Sequence, residues 1–278
     1  MKNLVTECED QNLIKGKALK LKHNIIKQKF TEGKNTYVVY NVNNIMSQSL
    51  EDEDFFITKL AQTIKTFIGA AKKVLVVGLG NRHIIADSFG TSCLKRVIAT
   101  RGLVKTNCEV SAISPSVFGL TGIESADVIK SVVNIVKPQV VIIIDTLCAN
   151  TYENLVTNFQ ISNAGFEPGS GVGNKRKSVN LKTVNTKVVS IGVPFVVYAK
   201  SFIKSAISTT MQTTIQTNKK HNNLGIYNEL LKLNFNNLIL TVKDVDESIK
   251  KCSYVVSSAI NLALNNYSLT EQELILGK

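Results

Sequence analysis

A chain of 278 residues with 44% apolar content is long enough to bury a large core. Lysine and arginine outnumber aspartate and glutamate by 33 to 21, and the resulting charge of +12 favours acidic partners without identifying one. No stretch reaches the roughly 20 apolar residues of a membrane span, and the first residues, "MKNLVTECEDQN", lack the apolar core of a signal peptide, so a cytoplasmic protein that does not engage membranes is expected.

Residues 12–50 place six lysines between Lys15 and Lys29 and then read "TEGKN" and "YVVYNV", which predicts a lysine-studded strand, a turn and a second strand. Lysines of this kind protect a sheet edge from pairing with other chains. In "DEDFFITKLAQTIKTFIG", Phe56, Leu60, Ile64 and Phe67 recur at helical spacing behind leading acids, predicting an amphipathic helix that ends at Gly69. Strand and helix then alternate: strand 74–77, helix from Asp87 to Thr100, strand 109–113, helix from Ile123 to Val136, and the strand "VVIIID" from Val140 to Asp145. A further strand is expected at 188–193, followed by a helix from Pro194 into the 210s. Continuous β-branched runs between helix-length segments indicate a three-layer α/β fold, a mostly parallel sheet with helices on both faces. Residues 212–237 are rich in Asn, Gln, Thr and Lys and read as a surface insertion, with a short helix from Tyr227 to Leu233. "DVDESIKKCSYVVSSAINLAL" closes the chain as an amphipathic helix, and no linker divides residues 1–278, so one elaborated domain is expected.

In such sheets functional groups gather at the carboxyl ends of the strands. Gly78 and Gly80 let the chain leave its strand sharply beside Asn81, and Asp87 falls at the next helix start, which fits either an N-cap in a plain turn or a functional acid. Asp145, closing its apolar run, is expected on the same rim, two βα units further along. Paired carboxyls in a partly dry cleft share one proton, which leaves a base for water beside an acid for the leaving group, a chemistry suited to amide hydrolysis. Glu124 and Asp127 read as helix-start acids. "GFEPGSGVGNKRK" is a glycine loop with a basic end that either shapes the cleft or binds substrate through Gly169, Gly171, Gly173, Asn174, Lys175 and Arg176. It lacks the spacing of a phosphate loop. The five cysteines (Cys8, Cys93, Cys108, Cys148, Cys252) are scattered and His23, His83 and His221 share no ligand spacing, so reduced thiols are expected and neither metal nor cofactor. Cys148 with His83 is a weaker nucleophile candidate than a buried thiol.

Taken in order, "VLVVGLGN" with Asp87 and Gly90, "VSAISPSVFGLTGIESADVI", "KPQVVIIIDTL", "QISNAGFEPGSGVGNKRK" and "VVSIGVPFVV" resemble the germination protease family of spore-forming bacteria. The resemblance implies an atypical aspartic endopeptidase of the spore core that degrades small acid-soluble spore proteins, has a fold related to hydrogenase-maturation endopeptidases, assembles as a tetramer and needs no direct nucleic-acid contact. Its two essential aspartates would be Asp87 and Asp145. The chain departs from the family pattern at Arg82, His83 and Ala86, after GLGN, and at Asn163, where the family carries an acid. Family members are made as zymogens, whereas "NLVTECED", which resembles the family's processing site, begins here at residue 3, so almost no prosegment is expected. Two rivals remain: a metal-dependent maturation-type endopeptidase on the same fold, and an inactive spore protein that binds acidic partners or DNA.

Overall fold

In the computed structural model, which describes residues 17–169, 176–216 and 238–277, the amino-terminal region forms three strands where two were expected. They are β1 (Lys17–Lys20), β2 (Ile25–Glu32) and β3 (Asn35–Val42), each antiparallel to the next, and β1 lies at the sheet edge. Helix α1 (Leu50–Ile68) starts where the Ser49 hydroxyl accepts the Asp52 amide at 3.2 Å and stops at Gly69. Its apolar stripe buries Phe56 edge-on between Tyr40 and Phe159, with ring centroids 5.6 and 4.9 Å away. Phe56→Ala is expected to cost about 3–5 kcal/mol, read as a lower urea midpoint at unchanged slope.

The strands that follow are β4 (Lys73–Gly78), β5 (Glu109–Ile113), β6 (Val140–Ala149), β7 (Asn158–Ser162), β8 (Lys187–Tyr198) and β9 (Ile239–Thr241). They complete one sheet in the order β1-β2-β3-β7-β8-β6-β4-β5, with β9 also paired to β8. Parallel pairing joins β5, β4, β6 and β8, while the other pairings among the described residues are antiparallel. The expected α/β fold is therefore present, but the sheet is mixed rather than mostly parallel: the parallel strands are gathered in the half that carries the acids, and an antiparallel wing lies beside them.

Alternation along β4 and β6 separates the two faces. Val74, Val76, Ile142 and Ile144 pack beneath α1, α2 (Phe89–Leu94) and a long helix near the carboxyl end. Leu75, Val77, Val141, Ile143 and Leu147 point the other way. Along the chain, α3 (Phe118–Thr121) and α4 (Ser125–Val136) follow β5, and α5 (Leu181–Val184) precedes β8; Ala126, Ile129, Val133 and Val184 cover this second face. Helix α6 (Ala199–Gln216) leaves β8, and the long helix of the first face is α7 (Val245–Asn265).

Several boundaries differ from those expected. The helix predicted from Asp87 to Thr100 is a 3-10 turn, Ile85–Asp87, followed by the six residues of α2. Beyond Leu94 the backbone bonds to side chains instead of continuing the helix: the Ile98 amide donates to Asn261 Oδ1 at 2.9 Å, and Asn261 Nδ2 donates to the Arg96 carbonyl at 2.8 Å. Pro194 lies within β8 and does not open a helix. It pairs with Leu147 next to a break in register between Leu147 and Cys148, where a residue without an N–H costs no regular ladder bond. Residues 212–216 end α6, the remainder of the expected insertion, including the helix from Tyr227 to Leu233, lies outside the described residues, and a last helix, α8 (Leu269–Leu276), was not anticipated. Among the described residues no helix is long and apolar enough to cross a membrane.

Candidate active site

Strand β4 pairs with β5 on one side and β6 on the other; α2, between β4 and β5, covers one face and α4, between β5 and β6, the other, so the carboxyl end of β4 is a point where the strand order reverses. The last β4–β6 partners are Gly78 and Ile144, and the Leu79 amide donates to the Ile144 carbonyl at 2.8 Å. Asp145 therefore stands just past the end of its neighbour. It does not close its own strand, as the apolar run suggested, because β6 continues through Thr146, Leu147, Cys148 and Ala149. The acid is on the rim because β4 is short.

Glycines bring Asp87 to this place. A Cβ on Gly90 would lie 2.3 Å from the Ile144 carbonyl oxygen and 2.5 Å from that of Leu79, so α2 rests directly on the bond that joins β4 to β6. A Cβ on Gly78 would meet the Gly90 carbonyl oxygen at 2.2 Å. Gly80 has φ of +99°, and its Cβ would sit 1.9 Å from the Asp87 carbonyl oxygen. The turn is pressed onto the sheet end, and Asp87 with it. Asp87 does not cap α2; its Oδ2 instead accepts the Asn81 amide at 2.8 Å, tying the acid back to the loop that follows β4.

Asp87 and Asp145 line one cleft of about 520 Å³, a size suited to a few residues of an extended peptide. Its walls are largely apolar, with Leu79, Val117, Phe118, Leu147 and Phe166 among them. Asp145 is 5% exposed, and its Oδ1 accepts the Thr146 amide at 2.8 Å. Burial pushes the Asp87 carboxyl above the usual aspartate range, against the smaller, opposing pull of the Asn81 amide.

Of the other sequence candidates, Gly80, Asn81, Gly169 and Arg176 line the cleft, Gly78 underlies it, and Gly171, Gly173, Asn174 and Lys175 lie outside the described residues. Arg176 stacks on the Phe118 ring at 4.5 Å and approaches the Glu124 carboxylate at 3.9 Å. Glu124 is the N-cap residue of α4, the helix-start position expected of it, but its side chain makes no cap bond and lines the cleft as well. The distant Arg176 was the missing signal. Asp127 is in the first turn of α4 and pairs with Lys177 at 2.5 Å. Because the Glu124–Arg176 pair is long and partly exposed, Glu124→Gln should change stability by less than about 1 kcal/mol, with any effect appearing in KM.

Cys148 is a buried wall residue, while Arg82 and His83 are exposed and Ala86 lines the cleft. Asn163 serves the hairpin: its Oδ1 accepts the Thr36 amide at 2.7 Å, away from the two acids.

Known proteins give this geometry a context. A [NiFe] hydrogenase maturation protease, HycI, from Thermococcus kodakarensis KOD1 aligns over 72% of this chain and 99% of its own at 12% identity with a TM-score of 0.39, too loose a superposition to build on. A protein named germination protease from Caldanaerobacter subterraneus subsp. tengcongensis is 36% identical over 261 residues, 86% of this chain and 80% of that one. One of the same name from Clostridium tetani is 32% identical over 253 residues, 82% and 78% of the two chains. The family model described as germination protease matches residues 1–226, and with these relatives it establishes that the chain belongs to the germination protease family.

Proposed function

We propose that this chain is an endopeptidase that hydrolyses small acid-soluble spore proteins during germination, with Asp87 and Asp145 as the pair that activates water. The observation that carries this is a carboxyl biased by burial toward its neutral form, Asp87, lining the same cleft as a second acid, Asp145. Such a pair retains one proton between its members. The ionised member takes a proton from water as the oxygen attacks the peptide carbonyl carbon. The protonated member gives its proton to the amide nitrogen as the C–N bond breaks, so the pair again holds one proton. Because coupled acids titrate as a pair, the single proton belongs to Asp87 and Asp145 together, and either can take the acid's part.

Gly169 and Arg176 line the wall against which the substrate would lie. The test is incubation of the purified chain with a small acid-soluble spore protein. Discrete fragments that persist in excess EDTA are expected from the wild type, and none from Asp87→Asn or Asp145→Asn. Intact substrate with the wild type would overturn the proposal, and EDTA-sensitive cleavage would favour a metal-dependent maturation-type enzyme. Tetrameric assembly belongs to the same reading and is checked by light scattering.

A further inference from the structure

Beyond Ile144, β6 keeps one neighbour and loses the other. It stays paired with β8 from Asp145 to Ala149, but β4 turns away at Gly80, and among the described residues no strand takes its place. The last rung fixes which way the backbone points along this stretch. The Ile144 carbonyl accepts the Leu79 amide and so faces β4, and alternation along a strand gives Thr146 the same direction while Asp145 and Leu147 face β8. The Thr146 amide is engaged, donating to Asp145 Oδ1 at 2.8 Å. The Thr146 carbonyl points the same way and has no partner among the described residues. Thr146 lines the cleft and is only half-buried although its hydroxyl is enclosed, so what it offers there is not the hydroxyl.

The cleft runs along this edge, with Asp145, Thr146, Leu147 and Cys148 on one bank and Leu79 and Gly80 at the end where β4 stops. A sheet edge attracts a further strand, and proteins ordinarily cover or blunt it. This one is recessed inside a cleft, where another sheet cannot reach but a single extended chain can. We propose, resting on the peptidase reading above, that substrate binds here by strand addition: its main chain lies along β6 in the place that β4 vacates, and one of its backbone amides donates to the Thr146 carbonyl. Pairing through the main chain holds an extended segment and sets its peptide bonds beside Asp145, the residue next to that rung. It also sends alternate substrate side chains to opposite faces, one set toward the apolar wall of Val117, Phe118 and Phe166.

The test uses short synthetic peptides tiling a small acid-soluble spore protein, with binding to Asp87→Asn measured by calorimetry so that no cleavage intervenes. In the tightest binder each backbone amide is replaced in turn by an ester, which removes one N–H and keeps the shape. The ester at the amide facing Thr146 should weaken binding about tenfold, and esters at its two neighbours less than about threefold. Thr146–Leu147 is the only Thr-Leu pair in the chain, so carbonyl-13C threonine with 15N-leucine reports the Thr146 carbonyl alone by NMR. That resonance should shift with the parent peptide and stay in place with the weakened ester. Equal losses along the peptide, no loss at any position, an unmoved Thr146 resonance, or no binding by any peptide would overturn the proposal. Cleavage by the wild type is scored separately: if it occurs without the ester pattern, strand addition falls and the peptidase reading stands. If the pattern is present while the wild type cleaves nothing, the edge binds peptide and the peptidase reading falls instead.

Discussion

Asp145→Asn and Asp87→Asn are each expected to lower kcat by about 100- to 10,000-fold while leaving a folded protein, because each removes one end of the proton path. The double variant should be scarcely worse than either single one, since two groups that act as a unit do not lose activity additively. Near-additive losses would mean that the acids act apart. The two variants should differ in stability. Burial raises the Asp87 carboxyl, so the folded state binds this proton more tightly than the unfolded chain does. The stabilisation that follows is complete below the ordinary aspartate range and is lost as pH rises through the raised folded value. Asn is neutral throughout, and Asp87→Asn should therefore melt at or above the wild-type temperature near neutral pH. That advantage should shrink as the pH falls. Thermal melts across the acid range check this directly, and a variant that is less stable at neutral pH would contradict the desolvated carboxyl.

Gly90→Ala should be the most damaging small change outside the two acids. Its methyl would enter the hydrogen bond between Leu79 and Ile144, and the obstacles are backbone atoms of two central strands that cannot turn aside. The helix must lift instead, at a cost of about 3 kcal/mol or more, and the Asp87 turn lifts with it. Gly80→Ala combines a left-handed φ of +99° with a contact of 1.9 Å to the Asp87 carbonyl oxygen, so it should displace the acid even where the fold survives. Gly119→Ala is the control. Gly119 also lines the cleft, yet a methyl there meets nothing within 4 Å, and stability should stay within about 0.5 kcal/mol. Urea melts and cleavage assays of the three variants should rank in that order. Equal behaviour of Gly90→Ala and Gly119→Ala would mean that α2 is not seated on the β4–β6 rim.

Much of the fold was legible because burial on both faces leaves a direct trace. The apolar runs "KVLVVG" and "VVIIID" could hardly be anything but central strands, and the spacing of Phe56, Leu60 and Ile64 left one face for α1. Boundaries failed where distant groups took over the backbone. The segment after Leu94 looks helical until Asn261, some 165 residues away, claims Arg96 and Ile98. Pro194 reads as a helix start until the break in register beside Leu147 accommodates it within a strand. Glu124 does open α4 as its position suggests, and only its place in the cleft was hidden, because its partner, Arg176, lies beyond two strands.

The amino-acid sequence alone was enough to put Asp87 and Asp145 forward as candidates, because an acid closing an apolar run, or just after a glycine turn, contradicts the surrounding hydrophobic pattern and has few local explanations. It was enough, too, for the resemblance that the family model and the relatives bear out. Only the tertiary structure decided that β4 stops five residues short of the position opposite Ala149 on β6, that Gly80 and Gly90 seat the Asp87 turn on that shortened end, and that alternation along β6 turns Asp145 toward the α4 face. The physical reason is that periodicity reports which face of an element is buried, whereas the relative ends of neighbouring strands depend on register and close backbone approach, quantities that no single segment encodes.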